Sequence, residues 1–83
     1  MQLEIITPDK QLFSGEIKSI KVPGTKAPFQ VLKNHAPVLS TLDRGSITIV
    51  TSGDEEKIIK VSGGMIEVNK NKIIVLAETF RVG

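Results

Sequence analysis

The sequence predicts an all-β domain: a flattened β-sandwich or barrel of about eight to ten short, mostly antiparallel strands, with at most one helical turn near 34–37. Three observations predict it. The 83 residues include 11 Ile, 8 Val and 6 Leu, a mostly β-branched set that fits pleated, half-buried surfaces. Turn signals recur roughly every eight residues. Between them, apolar and polar residues alternate with a period of two. Residues 1–83 are expected to form a single domain.

The elements follow in order. Leu3 and Ile5 alternate with Gln2 and Glu4, and Thr7-Pro8-Asp9 marks the first turn. Leu12-Phe13 precedes a second turn signal, Ser14-Gly15. Ile20 and Val22 alternate with Ser19 and Lys21, but Ile17 is out of phase with Ile20, which predicts a β-bulge near Lys18. Pro23-Gly24 suits a type II turn, because Pro fixes φ and Gly supplies φ > 0.

The β pattern breaks at Val31-Leu32-Lys33-Asn34-His35-Ala36-Pro37-Val38-Leu39, which holds the single histidine. Asn34 is a good helix N-cap, and Pro37 limits any helix to about one turn. The pairs Val31-Leu32 and Val38-Leu39 are expected to pin this knuckle to a core. After Arg44-Gly45, Ile47 and Ile49 alternate with Ser46 and Thr48. Ser52-Gly53-Asp54 reads as a hairpin tip, with Asp54-Glu55-Glu56 a solvated turn. Ser62-Gly63-Gly64 implies a tight reversal or a close backbone approach. Ile66 and Val68 alternate with Glu67 and Asn69, and Asn69-Lys70-Asn71 is a further turn. Ile73-Ile74-Val75-Leu76 is apolar on both faces, so that strand is either central or covered by another protein. Ile6, Val50 and Ile58 fall on nominally polar faces. Two readings of them stand side by side: an interface, or scattered surface hydrophobes.

Composition excludes several function classes. No cysteine is available for a disulfide or thiolate site, and one histidine cannot build a typical metal set. A Ser-His-Asp triad would need His35, yet no Gly-x-Ser-x-Gly elbow exists. Pro23-Gly24-Thr25-Lys26 superficially resembles a phosphate loop but lacks its order and a following helix. Lys70 at a hairpin raises a biotinyl- or lipoyl-type carrier domain, but its neighbours are Asn69 and Asn71. Catalytic, cofactor-binding and metal-binding residues are therefore all expected to be none. The net charge of +2 is spread along the chain, and three Phe with no Tyr or Trp argue against nucleic acid. No signal peptide is visible, and the longest apolar stretch, Ile73 to Ala77, is far short of the roughly 20 residues a membrane helix needs. No direct membrane insertion is expected.

The motifs then line up. Leu12-Phe13-Ser14-Gly15, Ile20-Lys21-Val22-Pro23-Gly24, the 31–39 knuckle, Gly45-Ser46-Ile47-Thr48-Ile49-Val50, Val61-Ser62-Gly63-Gly64-Met65-Ile66-Glu67-Val68 and Ile73-Ile74-Val75-Leu76-Ala77-Glu78-Thr79 occur in that order. In this the chain resembles the N-terminal β-sandwich domain of the F-type ATP synthase epsilon subunit (delta in mitochondria), over about Leu3 to Thr79. The resemblance implies a non-catalytic central-stalk subunit. Such a subunit binds the gamma subunit and rests on the polar loops of the c-ring, and the rotor couples proton or sodium flow to ATP synthesis. By position it implies a gamma interface at Thr7, Asn34, His35, Ala36, Pro37 and Ser40, and a c-ring contact at Thr25, Lys26, Ala27 and Pro28. It implies a place on the cytoplasmic face of the bacterial inner membrane, as part of F1. Two departures matter. Ala27 and Pro28 stand where the family often has glycine and an acidic residue, and Lys33 replaces a common proline. The chain stops at Gly83, without the C-terminal helical hairpin of many bacterial relatives, so a short form with no bound ATP is expected. The rival reading is a free-standing OB-like module for oligosaccharide or nucleic acid. It would need an aromatic groove, for which only Phe13, Phe29 and Phe80 are available.

Overall fold

Every apolar alternation read from the sequence becomes a strand. The computed structural model describes residues 1–79, so Phe80 lies outside them. The strands are β1 (Gln2–Ile6), β2 (Gln11–Val22), β3 (Phe29–Leu32), β4 (Val38–Leu42), β5 (Gly45–Thr51), β6 (Glu56–Val61), β7 (Gly63–Asn69) and β8 (Lys72–Glu78). No helix occurs among the described residues, and so none long and apolar enough to cross a membrane. The body measures 38 × 28 × 18 Å, a flattened sandwich.

One sheet has the order β4-β7-β8-β1-β2, and the other β3-β2-β5-β6. Pairing is antiparallel throughout except between β1 and β8, which run parallel with Leu3 opposite Ile73. Strand β2 belongs to both sheets: Gln11 to Glu16 pair with β1, and Ile17 to Lys21 pair with β5. The register shifts between Ile17 and Ser19, which is the bulge expected near Lys18. The Ser14-Gly15 signal, by contrast, is no turn; β2 runs through it and leaves the first sheet just beyond.

The inward residues of both sheets form one core, including Leu3, Ile5, Ile20, Ile47, Ile49 and Ile66, all with no exposed surface. Among the described residues no polar or charged side chain is buried. Strand β8 is central and sends Ile73, Val75 and Ala77 into the core. Its other face is not covered, and Leu76 is 48% exposed. Ile6 and Val50 are half-buried and Ile58 is exposed.

Three local expectations are corrected. The chain turns over 32–35, closed by the His35 N–H donating to the Leu32 carbonyl at 3.1 Å, and 35–37 is irregular, within the bound of at most one helical turn there. Asn34 is not an N-cap: its φ of 66° places it in the left-handed region, which Asn tolerates better than most residues. Of the flanking pairs, Val31 is buried and Val38 half-buried, but Leu32 and Leu39 are exposed, because period two turns the second member of each pair outward. Gly24 is not in a type II turn; it has no positive φ and forms an isolated bridge to Leu42. Glycine is needed there for space, since a Cβ would lie 2.6 Å from the Ala27 carbonyl oxygen and 2.8 Å from the Phe29 ring.

The remaining turns match their residues. Lys70 and Asn71 have φ of 50° and 60°, the pair of positive values a two-residue type I′ hairpin requires. Gly64 has φ of +143°, and a Cβ there would lie 2.3 Å from the Leu76 carbonyl oxygen. This is the close backbone approach expected of the paired glycines, with Ser62 alone linking β6 to β7. Gly64→Ala should lower unfolding free energy by about 3 kcal/mol or more, through both strain and clash. Gly53→Ala is the control, because its nearest neighbour would be Thr51 Oγ1 at 3.9 Å. Urea denaturation showing a loss at Gly64 below about 1 kcal/mol would contradict this packing.

Candidate functional site

The knuckle carries the chain from β3 in one sheet to β4 in the other. Asn34, Ala36 and Pro37 are exposed and His35 is half-buried. The ring Nδ1 of His35 lies 2.6 Å from the Ala36 carbonyl oxygen. A carbonyl only accepts, so Nδ1 carries the proton and Nε2 is the acceptor of the neutral ring. Asn34 is held from outside: its backbone N–H donates to Asn71 Oδ1 at 2.7 Å, and Asn71 Nδ2 donates to Asn34 Oδ1 at 3.0 Å.

The 25–28 loop sits at the opposite end of β4. The Thr25 N–H donates to the Thr41 carbonyl at 3.0 Å, and the two threonine hydroxyls are 2.8 Å apart. The Asp43 N–H donates to the Pro23 carbonyl at 2.7 Å and fixes the loop's base. Thr25, Lys26, Ala27 and Pro28 are all exposed, and Lys26 is their only charge. Ser40 lies with this loop more than with the knuckle. It alternates inward with Leu42, bonds the Thr41 carbonyl at 2.9 Å, and lines a groove shared with Thr25, Lys26, Ala27 and Phe29.

Thr7 stands at a third place. It follows β1, three strands across from β4 and about five residues along, so roughly 20 Å from the knuckle. Its hydroxyl is occupied: Oγ1 accepts from the N–H groups of Lys10 at 3.1 Å and Asp9 at 3.3 Å, and donates to the Lys10 carbonyl at 3.0 Å. Asn34, His35, Ala36 and Pro37 are thus brought together, whereas Thr7 and Ser40 are not brought to them.

Between these places lies a surface that sequence reasoning only partly found. The outer face of the β4-β7-β8-β1 sheet carries Met65, Leu76 and Ile6 side by side in register, with Ile74 and Leu39 in the next row. Leu39 is 66% exposed and Met65 39%. A groove of about 490 Å³ runs over Met65 and Leu76 to Ile6, Thr7 and Pro8. The doubly apolar run 73–76 signalled Ile74 and Leu76. Met65 was legible only as the residue out of phase with Ile66 and Val68. Pro37 meets this face beside Leu39 and Glu67, so the knuckle and the apolar face are continuous.

Among the described residues no group of His, Asp and Glu side chains is placed to hold a metal ion. The surfaces offer apolar area edged by Glu67 and Lys26, threonine hydroxyls, backbone groups and one imidazole, which suits docking to another macromolecule.

Comparison with known proteins identifies the family. A family model described as the ATP synthase delta/epsilon chain β-sandwich domain matches residues 1–83. The chain is 46% identical over 76 residues to an ATP synthase epsilon chain of Chlorobaculum tepidum, covering 92% of this chain and 86% of that one. It is 42% identical over 77 residues to that of Chlorobium limicola, covering 93% and 88%. Against the epsilon chain of Rhodopseudomonas palustris (strain BisA53) it is 41% identical over 75 residues and spans 55% of that chain's length. At the level of fold, a chain in the Euglena gracilis mitochondrial ATP synthase structure (OSCP/F1/c-ring) superposes with TM-score 0.84 at 19% identity, over 90% of this chain and 48% of that one. One in the Tetrahymena thermophila mitochondrial ATP synthase central stalk and c-ring gives 0.77 at 19%, over 94% and 63%.

The hydrogen bonding separates two residues the sequence grouped together. Thr7→Val removes an acceptor used by two backbone N–H groups and should cost about 1–2 kcal/mol of stability. Ser40→Ala, whose hydroxyl bonds only its neighbour's carbonyl, should cost less than about 0.5 kcal/mol. Thermal melts giving equal losses would remove the structural role of Thr7.

Proposed function

The chain belongs to the family of the ATP synthase delta/epsilon β-sandwich domain, and from that premise we propose that it works as a non-catalytic central-stalk subunit. It links the gamma subunit to the membrane c-ring and keeps their surfaces in register while ion flow drives ATP synthesis at sites on other subunits. The observation that carries the reading is the match of one family over the whole chain, with epsilon chains of similar length at 46% and 42% identity. The free-standing OB-like module gains no support: Phe13 and Phe29 lie on different strands, and neither the apolar face nor its groove contains an aromatic side chain.

The gamma contact is assigned to the knuckle Asn34 to Pro37 and the apolar face continuous with it. Support comes from the exposure of Leu39, Met65 and Leu76, which a small domain leaves uncovered only at cost to solubility. Burial of each such side chain against a partner is worth about 1.5–3 kcal/mol before association costs. Thr7 borders this face through the groove at Met65 and Leu76, and its part in the contact is to shape the β1–β2 turn. The c-ring contact is assigned to Thr25, Lys26, Ala27 and Pro28. With no acid in this loop, its electrostatic match would be an acceptor-rich c-ring loop facing Lys26. The subunit would then lie peripherally at the cytoplasmic face of the bacterial inner membrane.

Binding titrations with gamma test the first assignment. His35→Asp and Leu76→Asp should each weaken binding tenfold or more, about 1.4 kcal/mol. Lys60→Asp, on the outer face of the other sheet, should leave it unchanged. Equal effects at the three positions would sink the assignment. In the assembled synthase, Ala27→Cys should cross-link to a cysteine placed in the c-ring polar loop, whereas Ser52→Cys at the β5–β6 tip should not. Cross-linking from Ser52 alone would invert the proposed orientation.

A further inference from the structure

We propose that Asn71, in the β7–β8 turn, is a positioning residue for the 34–37 knuckle: its side-chain amide fixes the knuckle's pose against the sheet that carries the apolar face. The proposal rests on the reading of the knuckle as a gamma contact and names what holds that contact in place.

The knuckle has few bonds of its own. Its turn is closed by one backbone bond, His35 N–H to the Leu32 carbonyl, and Pro37 has no N–H to offer. A local bond joins His35 Nδ1 to the Ala36 carbonyl oxygen, and the restraints from outside come from 37 residues away in sequence, where the Asn71 amide accepts from the Asn34 N–H and donates to Asn34 Oδ1. One amide facing a backbone N–H and a side-chain oxygen acts as a surrogate strand neighbour, giving two bonds where the chain passes between sheets. Asn71 is itself anchored. Its φ of 60° is set by the type I′ hairpin, its carbonyl accepts from the Gln2 N–H at 3.0 Å, and it is half-buried whereas Asn34 is exposed. The rigid partner is therefore the hairpin, and the guided one is the knuckle. Asparagine serves at both positions because it tolerates the left-handed region and carries both a donor and an acceptor.

Glycine substitutions isolate the clasp, since glycine keeps positive φ without strain. In the full chain, Asn71→Gly should keep the strand circular-dichroism signal and raise hydrogen exchange of the Asn34 amide by about tenfold. It should also weaken gamma binding about five- to tenfold, because the knuckle must be ordered on docking. Asn71→Asp keeps an acceptor for the Asn34 N–H, and Asn34 can turn its amide to donate, so most of the protection and affinity should return. Asn34→Gly, which removes only one of the two bonds, should give a smaller effect of the same sign. Lys70→Gly, in the same turn but outside the clasp, should change neither readout. Unchanged Asn34 exchange in Asn71→Gly would overturn the clasp. Faster exchange with unaltered gamma affinity, while His35→Asp still weakens binding, would overturn the positioning role alone. If His35→Asp also leaves affinity unaltered, the reading of the knuckle fails and this inference falls with it.

Discussion

The fold depends on one strand belonging to two sheets. Strand β2 spends its first half bonded to β1 and its second half between β3 and β5, and the bulge at Lys18 lies at the crossing. Because Ile17, Ile20 and Val22 then face the same interior as Leu3 and Ile5, both sheets enclose one core. A core with no buried polar group has no local hydrogen-bond network to specify it. Specificity falls instead on strand register, where a slip of one residue would send the apolar set to the outside. The bulge, the bridge from Gly24 to Leu42 and the close approach of Gly64 to β8 are what pin that register.

The same geometry sets where the proposed docking surfaces lie. The knuckle and the 25–28 loop flank the two ends of β4, an edge strand paired only to β7 over most of its length. They are about 17 Å apart along the strand, given five residues of extended chain. A connector that must transmit load needs contact surfaces at fixed separation on something stiff, and a continuous hydrogen-bonded sheet provides this better than a helical linker of equal mass. The short, bonded turns serve the same end: the loops proposed to carry the contacts are tied down by Thr41, Pro23 and Asn71.

Much of this was legible in the sequence. Alternation located β1, the second half of β2, β5 and β7, the doubly apolar run 73–76 located β8, and a phase error between Ile17 and Ile20 located the bulge. The errors share a cause. Ser14-Gly15 and Pro23-Gly24 were read by local turn chemistry, but their backbone is set by pairing with β1 and Leu42, which sequence neighbours do not reveal. Asn34 has the residue preference of an N-cap and of the left-handed region alike; it takes the second, and there its N–H meets Asn71. Of the positions carried over by resemblance, the knuckle residues are contiguous in space. Thr7 and Ser40 are spent on turn and groove. Met65, on the outward phase of a strand recognised for its inward one, went unnoticed.

The parallel pairing of β1 with β8 bears on how the molecule comes into being. Leu3 meets Ile73, so the middle of the larger sheet joins the first described strand to the last. Until β8 is made, β1 has only its hairpin partner β2, and β7 and β4 are tied to that pair through the bridge and bonds at Pro23 to Thr25 alone. The apolar residues of that half must wait in an unfinished state, and such non-local closure is slow compared with hairpin formation. Closure of the larger sheet, and with it the outer face that carries Met65 and Leu76, therefore waits for β8, after nearly all of the described residues are in place.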